Sequence, residues 1–252
     1  MSARFTDQVV LITGAGSGIG RATALAFARE GATVVVVGRR RDALAETVDL
    51  ISRAGGTASL VTADVTSAED MAGAVAETVA RHGGLHIAVN NAGTLATGLV
   101  SEMDERDWNL VLATNLTGTW LSMKYEIEHM RAHGGGVIVN IASNVGAHHR
   151  IPGTGAYAAA KAGVAALTRT AALEYSRAGI RINAVSPGAS DTEMSRRPGE
   201  SDADRAARLG ETLPLGRIGA LDEVAGTVLW LASPDAGFAV GTDVVIDGGA
   251  SA

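Results

Sequence analysis

Seven short runs rich in β-branched residues recur along the chain, separated by stretches of helical period. This alternation constrains the fold more than any other feature. The runs are QVVLIT (8–13), TVVVVG (33–38), ASLVTAD (58–64), HIAVNNAG (86–93), GVIVNIAS (136–143), IRINAVSP (180–187) and DVVIDGG (243–249). Several are almost continuously apolar, as parallel strands covered on both faces must be. Residues 20–31, 69–83, 105–134 and 157–179 repeat apolar side chains at helical spacing between them. Six or seven β-then-α units predict an α/β fold, a doubly wound parallel sheet of about seven strands with helices on both faces. Ser17 and Asp42 stand at expected helix starts, and Gly31, Gly83, Gly134 and Gly179 at expected stops.

No Pro/Ser-rich linker and no internal repeat divides the 252 residues, so a single domain over 1–252 is expected. One segment breaks the alternation. Residues 188–219 are polar, carry both charge signs and contain two of the five prolines, and are read as a long irregular, mobile substrate loop. A net charge of −6 offers no basic field for nucleic acid. The absence of Cys excludes disulfides, a thiolate nucleophile and a Cys-containing zinc site, and no metal site is expected. No apolar run approaches the ~18 residues of a membrane span, and the N-terminal apolar patch is too short for a signal peptide. A cytoplasmic protein is the expectation.

The first strand runs into TGAGSGIGRA. Its spacing is G-x-x-x-G-x-G, with Gly14, Gly18 and Gly20 as the fixed points and Ser17 and Ile19 between them. Glycine lets the chain turn sharply out of a strand and lets a pyrophosphate approach the backbone at a helix N-terminus, the Rossmann-type arrangement. At the end of the second strand, where an acid would bind the ribose hydroxyls of NAD, the sequence is VVGRRRD. Gly38 replaces the acid and Arg39 follows, which favours the 2′-phosphate of NADP(H); NAD(H) stays open, because Arg39–Arg41 also read as solvated residues opening a helix.

Together these motifs resemble the short-chain dehydrogenase/reductase family, in its branch of about 250 residues. The elements are TGAGSGIG, the DV of TADVT, NNAG, the Asn of ATNLTG, NIAS, YAAAK and SPGASDT, in order from residue 8 to the C-terminal VVIDGGASA. The resemblance implies that Asp64 and Val65 flank the adenine and that Asn91, Ala92 and Gly93 line the cofactor channel. It places Pro187, Gly188 and Thr192 near the nicotinamide, and it implies a homotetramer or homodimer packed through the long helices and the C-terminal segment. Members of the family often carry Asp where this chain has His86, and many NADP-preferring ones carry a basic residue where it has Ser17.

Within GAYAAAKAG, Tyr157 and Lys161 stand four apart and so share one helix face. Ser143 ends the preceding strand in the same crevice. Reducing a ketone requires a proton at oxygen, and a free phenol with a pKa near ~10 exchanges poorly at neutral pH. An ammonium and an oxidised nicotinamide nearby would lower that value. Tyr157 is therefore read as general acid in reduction and general base in oxidation, with Ser143 donating to the carbonyl oxygen. By resemblance, Lys161 and Tyr157 also hold the nicotinamide ribose, and Asn115 helps hold a relay water near Lys161.

His148, His149 and Arg150 are read as a polar rim of the substrate pocket, Leu95, Val145 and Met194 as its apolar lining, and Arg196 and Arg197 as a solvated charge pair. Trp108 and Trp120 are read as packing or interface residues. The expected function is interconversion of a secondary alcohol and a ketone, on a small-molecule substrate. The alternative is a catalytically silent dinucleotide-binding regulator on the same fold.

Overall fold

The computed structural model describes residues 3–196 and 199–252. Among them seven strands, β1 (Val9–Thr13), β2 (Thr33–Gly38), β3 (Thr57–Thr62), β4 (Ile87–Asn90), β5 (Gly136–Ile141), β6 (Ile180–Pro187) and β7 (Asp243–Ile246), form one parallel sheet of order β3-β2-β1-β4-β5-β6-β7. The helices are α1 (Gly18–Arg29), α2 (Arg41–Arg53), α3 (Ala68–His82), α4 (Glu105–Leu112), α5 (Gly118–Ala132), the single turn α6 (Asn144–Ala147), α7 (Gly155–Tyr175), α8 (Asp202–Thr212) and α9 (Leu221–Ala232).

The period of two along each strand divides the core into two layers. Val10, Ile12, Val34 and Val36 pack with Phe27 of α1 and with Val228 and Leu231 of α9. Their neighbours Val9, Leu11, Val35 and Val37 face the other way, onto Ala74 of α3, Met123 and Ile127 of α5 and Ala171 of α7. Each such fully buried side chain contributes about 1.5–3 kcal/mol, so both helix layers are held by the same strands. The strand order reverses at β1, which lies between β2 and β4. A crevice therefore opens at the carboxyl ends of β1 and β4, where this architecture binds ligands.

The structure departs from the sequence reading in several places. The expected helix over 105–134 is interrupted by a π-turn at Ala113–Thr117, which tilts Asn115 inward. The expected strand over 86–93 ends at Asn90, because the next residues leave the sheet to bond the first βα turn. Segment 188–219 is not wholly irregular: Ser201 caps the 11-residue helix α8 by accepting from the Asp204 N–H at 3.1 Å. His86 also supplies a bond of its own, its Nδ1 accepting from the Val9 N–H at 2.9 Å and tying β4 to the start of β1. No helix among the described residues is long and apolar enough to cross a membrane.

Candidate active site

The first βα turn is shaped by glycines for two different reasons. Gly14 and Gly18 have φ of 67° and 53°, the left-handed region that side chains resist. Gly20 is helical, but a Cβ there would stand 2.5 Å from both Asn91 Nδ2 and the Gly14 carbonyl oxygen. Asn91 closes the turn from the β4 side, its Nδ2 donating to the carbonyls of Thr13 (3.0 Å) and Gly14 (3.2 Å). The Thr13 hydroxyl accepts from the N–H groups of Asn91 and Ala92. Arg21 braces the turn from behind, donating to the Gly16 carbonyl at 2.6 Å and pairing with Glu46 on α2. Ile19 packs its side chain partly against the core and leaves the rest exposed.

These residues fit a dinucleotide. Ser17 occupies the N-cap of α1 without a capping hydrogen bond, and the first turn carries no acid. The N–H groups there have no side-chain acceptor, the setting that suits a phosphate. The space beside Gly18 is open except for Thr192, whose Cγ2 lies 3.3 Å from where a Cβ would stand.

Arg39, at the end of β2, is largely exposed and stands 3.8 Å from Asp64. Burial alone would raise the Asp64 carboxyl, but hydrogen bonds from Thr66 and the charge of Arg39 hold it below its usual range. Val65 spends its side chain on packing with Met71 and Leu121. Pro187 closes β6, and Gly188 passes so near Asp247 that a Cβ would meet the Asp247 Cβ at 2.5 Å.

At the other end of the crevice, small residues let α7 lie close to its neighbours: Ala156 and Ala160 pack with Val111 of α4. The next turn of the chain brings Tyr157 and Lys161 to the same side, the Lys161 Nζ lying 5.8 Å from the Tyr157 ring centre. Lys161 is 4% exposed and donates to the Ile141 carbonyl at 2.7 Å; burial lowers its pKa to about 8. The Tyr157 phenol is raised by burial, and the hydrogen bond from Ser143 only partly offsets this. In the protein alone, then, burial outweighs the influence expected of Lys161 on the phenol. Gly93 brings in Asn115: a Cβ there would stand 2.7 Å from Asn115 Oδ1 and 3.8 Å from Lys161 Nζ. Asn115 is fully buried, and its Nδ2 donates to the carbonyls of Val111 (2.8 Å) and Thr94 (2.9 Å). Chemically, the arrangement presents a proton donor, a second hydroxyl on it and a buried ammonium beside a phosphate-ready turn.

Residues 14–251 match a family model described as enoyl-(acyl carrier protein) reductase. A cyclohexanol dehydrogenase of Acinetobacter sp. (strain SE19) is 43% identical over 249 residues, covering 98% of this chain and 96% of that protein. A cis-4-hydroxycyclohexanecarboxylate dehydrogenase of Sinomonas cyclohexanicum is 40% identical over 258 residues and covers 100% of both chains. The crystal structure of a short-chain type dehydrogenase/reductase from Mycobacterium marinum superposes with a TM-score of 0.93 at 36% identity, covering 99% of this chain and 98% of that one. The chain belongs to the short-chain dehydrogenase/reductase family. It is an NAD(P)-dependent oxidoreductase interconverting an alcohol and a ketone, not a silent regulator.

Around this short-chain dehydrogenase/reductase site, three features went unseen in the sequence. Arg205 of α8 is buried, pairs with Asp191 and donates to the Thr192 carbonyl at 3.1 Å, fixing the residue that lies on Gly18. His148, expected on the substrate rim, instead directs Nε2 to Asp243 at 2.8 Å. Glu126 lies wholly buried beneath β4 and β5. Arg196 is engaged by Asp202 at 2.6 Å and Glu193 at 3.5 Å, in keeping with a solvated charge cluster; Arg197 lies outside the described residues.

Proposed function

We propose that this enzyme oxidises an alicyclic secondary alcohol and reduces the corresponding ketone, with Tyr157 as general acid and base and with NADP(H) preferred over NAD(H). The observation that carries the reading is the Ser143–Tyr157–Lys161 group, set at the end of β5 and the start of α7 beside the glycine turn. In reduction the Tyr157 hydroxyl gives its proton to the substrate oxygen, while Ser143 donates a hydrogen bond to that oxygen and draws charge onto it. In oxidation the phenol takes the proton back. Lys161 and Tyr157 hold the nicotinamide ribose, and Asn115 keeps a water in reach of Lys161 for proton relay. The bound cofactor supplies the hydride equivalent and, when oxidised, a positive charge. Gly14, Ser17, Gly18, Ile19 and Gly20 receive the pyrophosphate, Asp64 and Val65 the adenine, and Asn91, Ala92, Gly93, Pro187, Gly188 and Thr192 the nicotinamide side.

Two relatives named for six-membered carbocyclic alcohols support the substrate class. So does an apolar rim: Val100 is 85% exposed and lies 3.2 Å from the position of a Cβ on Gly155, two residues before Tyr157, with Leu99 and Ile151 exposed nearby in sequence. Support for NADP(H) comes from Gly38 and from the Arg39–Asp64 pair, which is exposed and weak enough for a 2′-phosphate to displace. Residues 188–196 border the substrate side, Thr192 lying against Gly18 as their contact with the cofactor turn.

The same reading places the protein in the cytoplasm as a homotetramer or homodimer. An outer groove of about 640 Å³ between α5 and α7, lined by Trp120, Lys124, Leu167 and Tyr175, supports the oligomer, as do exposed Trp230, Phe238 and Val240. The test is turnover of a panel of cyclic and open-chain ketones with NADPH and NADH, read by nicotinamide absorbance. Tyr157→Phe should lower kcat by about 10²–10⁴ and weaken cofactor binding far less, since Lys161 still holds the ribose. Arg39→Ala should raise the KM for NADPH alone. Equal rates with the tyrosine removed would overturn the proton role, and a preference for NADH the Arg39 argument.

A further inference from the structure

The residues after Ser143 fold into a tight turn that links the chemistry to the far edge of the sheet. Ser143 Oγ accepts from the Val145 N–H at 3.1 Å while also bonding the Tyr157 phenol. The Asn144 carbonyl accepts from the N–H groups of His148 (3.2 Å) and His149 (2.7 Å), and the Gly146 N–H donates to the His149 carbonyl at 2.9 Å. Gly146, with φ of 120°, passes so close to α7 that a Cβ would stand 2.5 Å from the Ala158 carbonyl oxygen. The turn thus lies directly on the helix segment that carries Tyr157.

Two side chains tie this turn to the last strand and its end. Asn144 Nδ2 donates to Asp247 Oδ2 at 3.1 Å, and His148 Nε2 bonds Asp243 Oδ2 at 2.8 Å. The Asp243 carboxylate is itself fixed. Its side chain is 7% exposed, and its other oxygen accepts from the fully buried Ser186 hydroxyl at 2.6 Å. A carboxylate held on one oxygen by the sheet and on the other by an imidazole is a rigid anchor. Without the imidazole, Oδ2 would be left largely desolvated and without that partner. The His148 ring therefore contributes here through where it holds the backbone, since its bonded nitrogen faces the sheet and not the crevice.

We propose that His148 is a positioning residue: its imidazole, anchored on Asp243, holds the turn after Ser143 and so keeps the Ser143 hydroxyl on the Tyr157 phenol. The proposal rests on the role given to Ser143 above. It assigns His148 no contact with substrate, cofactor or the travelling proton.

The test is a double-mutant cycle in the full chain, with the fastest ketone of the panel. His148→Ala should lower kcat by about tenfold, the scale of one lost hydrogen bond to a charged group, with the KM for cofactor unchanged. His148→Gln, whose amide reaches the position of Nε2, should restore most of the loss; His148→Asn, one bond shorter, should not. This pair carries the test if the alanine variant folds poorly. Once Ser143→Ala is in place, adding His148→Ala should cost less than twofold further. Losses that multiply would overturn the proposal and leave the Ser143 reading standing, since His148 would then act on its own. If His148→Gln is no better than His148→Asn, the anchor is likewise refuted. If Ser143→Ala alone turns over like the parent, the reading of the site fails and the clamp falls with it.

Discussion

The two ends of the crevice are built from different materials. At the cofactor end, the shape is main chain: positive-φ glycines, a helix N-terminus without a cap, and Asn91 bonded to two carbonyls. At the substrate end, the shape is held by side chains that reach across the fold, Asn144 to Asp247 and His148 to Asp243. A main-chain site allows little variation, because each added atom meets backbone. A side-chain site is held by individual partners, each of which can be exchanged, and that is where a common scaffold is free to acquire a substrate preference.

Both ends rest on one buried polar network, and the largest expected effect comes from breaking it. Asn90, beside Asn91, donates from Nδ2 to Glu126 Oε2 and to Asn140 Oδ1, each at 3.0 Å; Asn140, three residues before Ser143, donates on to Thr168 at 2.9 Å. Glu126 Oε1 and Asn90 Oδ1 are buried without partners, a deficit that a proton on the carboxyl would relieve. Burial pushes the Glu126 pKa from 4.5 up to about 8, against the pull of the Asn90 bond. The folded state thus keeps its proton at pH values where the unfolded chain has lost it. Stability should therefore be greatest below pH 4.5 as far as this group is concerned, and fall as pH rises toward about 8, by on the order of 1 kcal/mol per pH unit. Glu126→Gln keeps the shape and can donate to Asn90, so its denaturation midpoint should exceed that of the parent at pH 8 and lack this slope. A parent profile with the same slope as Glu126→Gln would show that Glu126 is ionised in the fold.

A smaller effect separates the two ends directly. Gly20→Ala places a methyl 2.5 Å from Asn91 Nδ2 and from the Gly14 carbonyl oxygen. The turn must open, at a cost of about 1–3 kcal/mol, and cofactor affinity should fall with melting temperature. Tyr157→Phe at the other end should lose turnover while keeping its melting temperature and most of its cofactor affinity. Equal melting and equal dinucleotide affinity in Gly20→Ala, read by calorimetry and fluorescence titration, would remove the main-chain account of the cofactor end.

This division also explains what was legible in the sequence. Gly14, Gly18 and Gly20 answer a local demand of the chain, so their spacing carries the signal. Tyr157 and Lys161 are legible because one helix face brings i and i+4 together. The seven strands follow from valine and isoleucine runs that the sheet buries on both faces. By contrast, Asp243 is 95 residues from His148 and Asp191 is 14 from Arg205, and no periodicity relates either pair. The polarity of 188–219 reads as loop because α8 turns Arg205 inward and its acids outward, although Ser201 and Asp204 already stood as a cap. The π-turn at Asn115 left no mark in the pattern, since an added residue in a helical turn only shifts the apolar phase.

The smallest predicted effect is the one that most sharpens the contrast, because its two consequences have opposite sign. Ser17 adopts the extended backbone of an N-cap but accepts no hydrogen bond from α1, and no acid lies in the first turn. For helix stability alone, Ser17→Asp would improve both, accepting from an N–H and placing a negative charge at the positive end of the dipole, with a gain of about 0.5–1 kcal/mol. A carboxylate there would also occupy the N–H groups left for phosphate and repel a pyrophosphate. Melting temperature without cofactor should therefore rise by a few degrees, while dinucleotide affinity falls by about tenfold, with weaker loss at high salt. If Ser17→Asp raises stability and leaves affinity unchanged, the phosphate is not bound at the start of α1. If it lowers both, the Ser17 position is constrained by packing and not by an uncapped helix held open for a ligand.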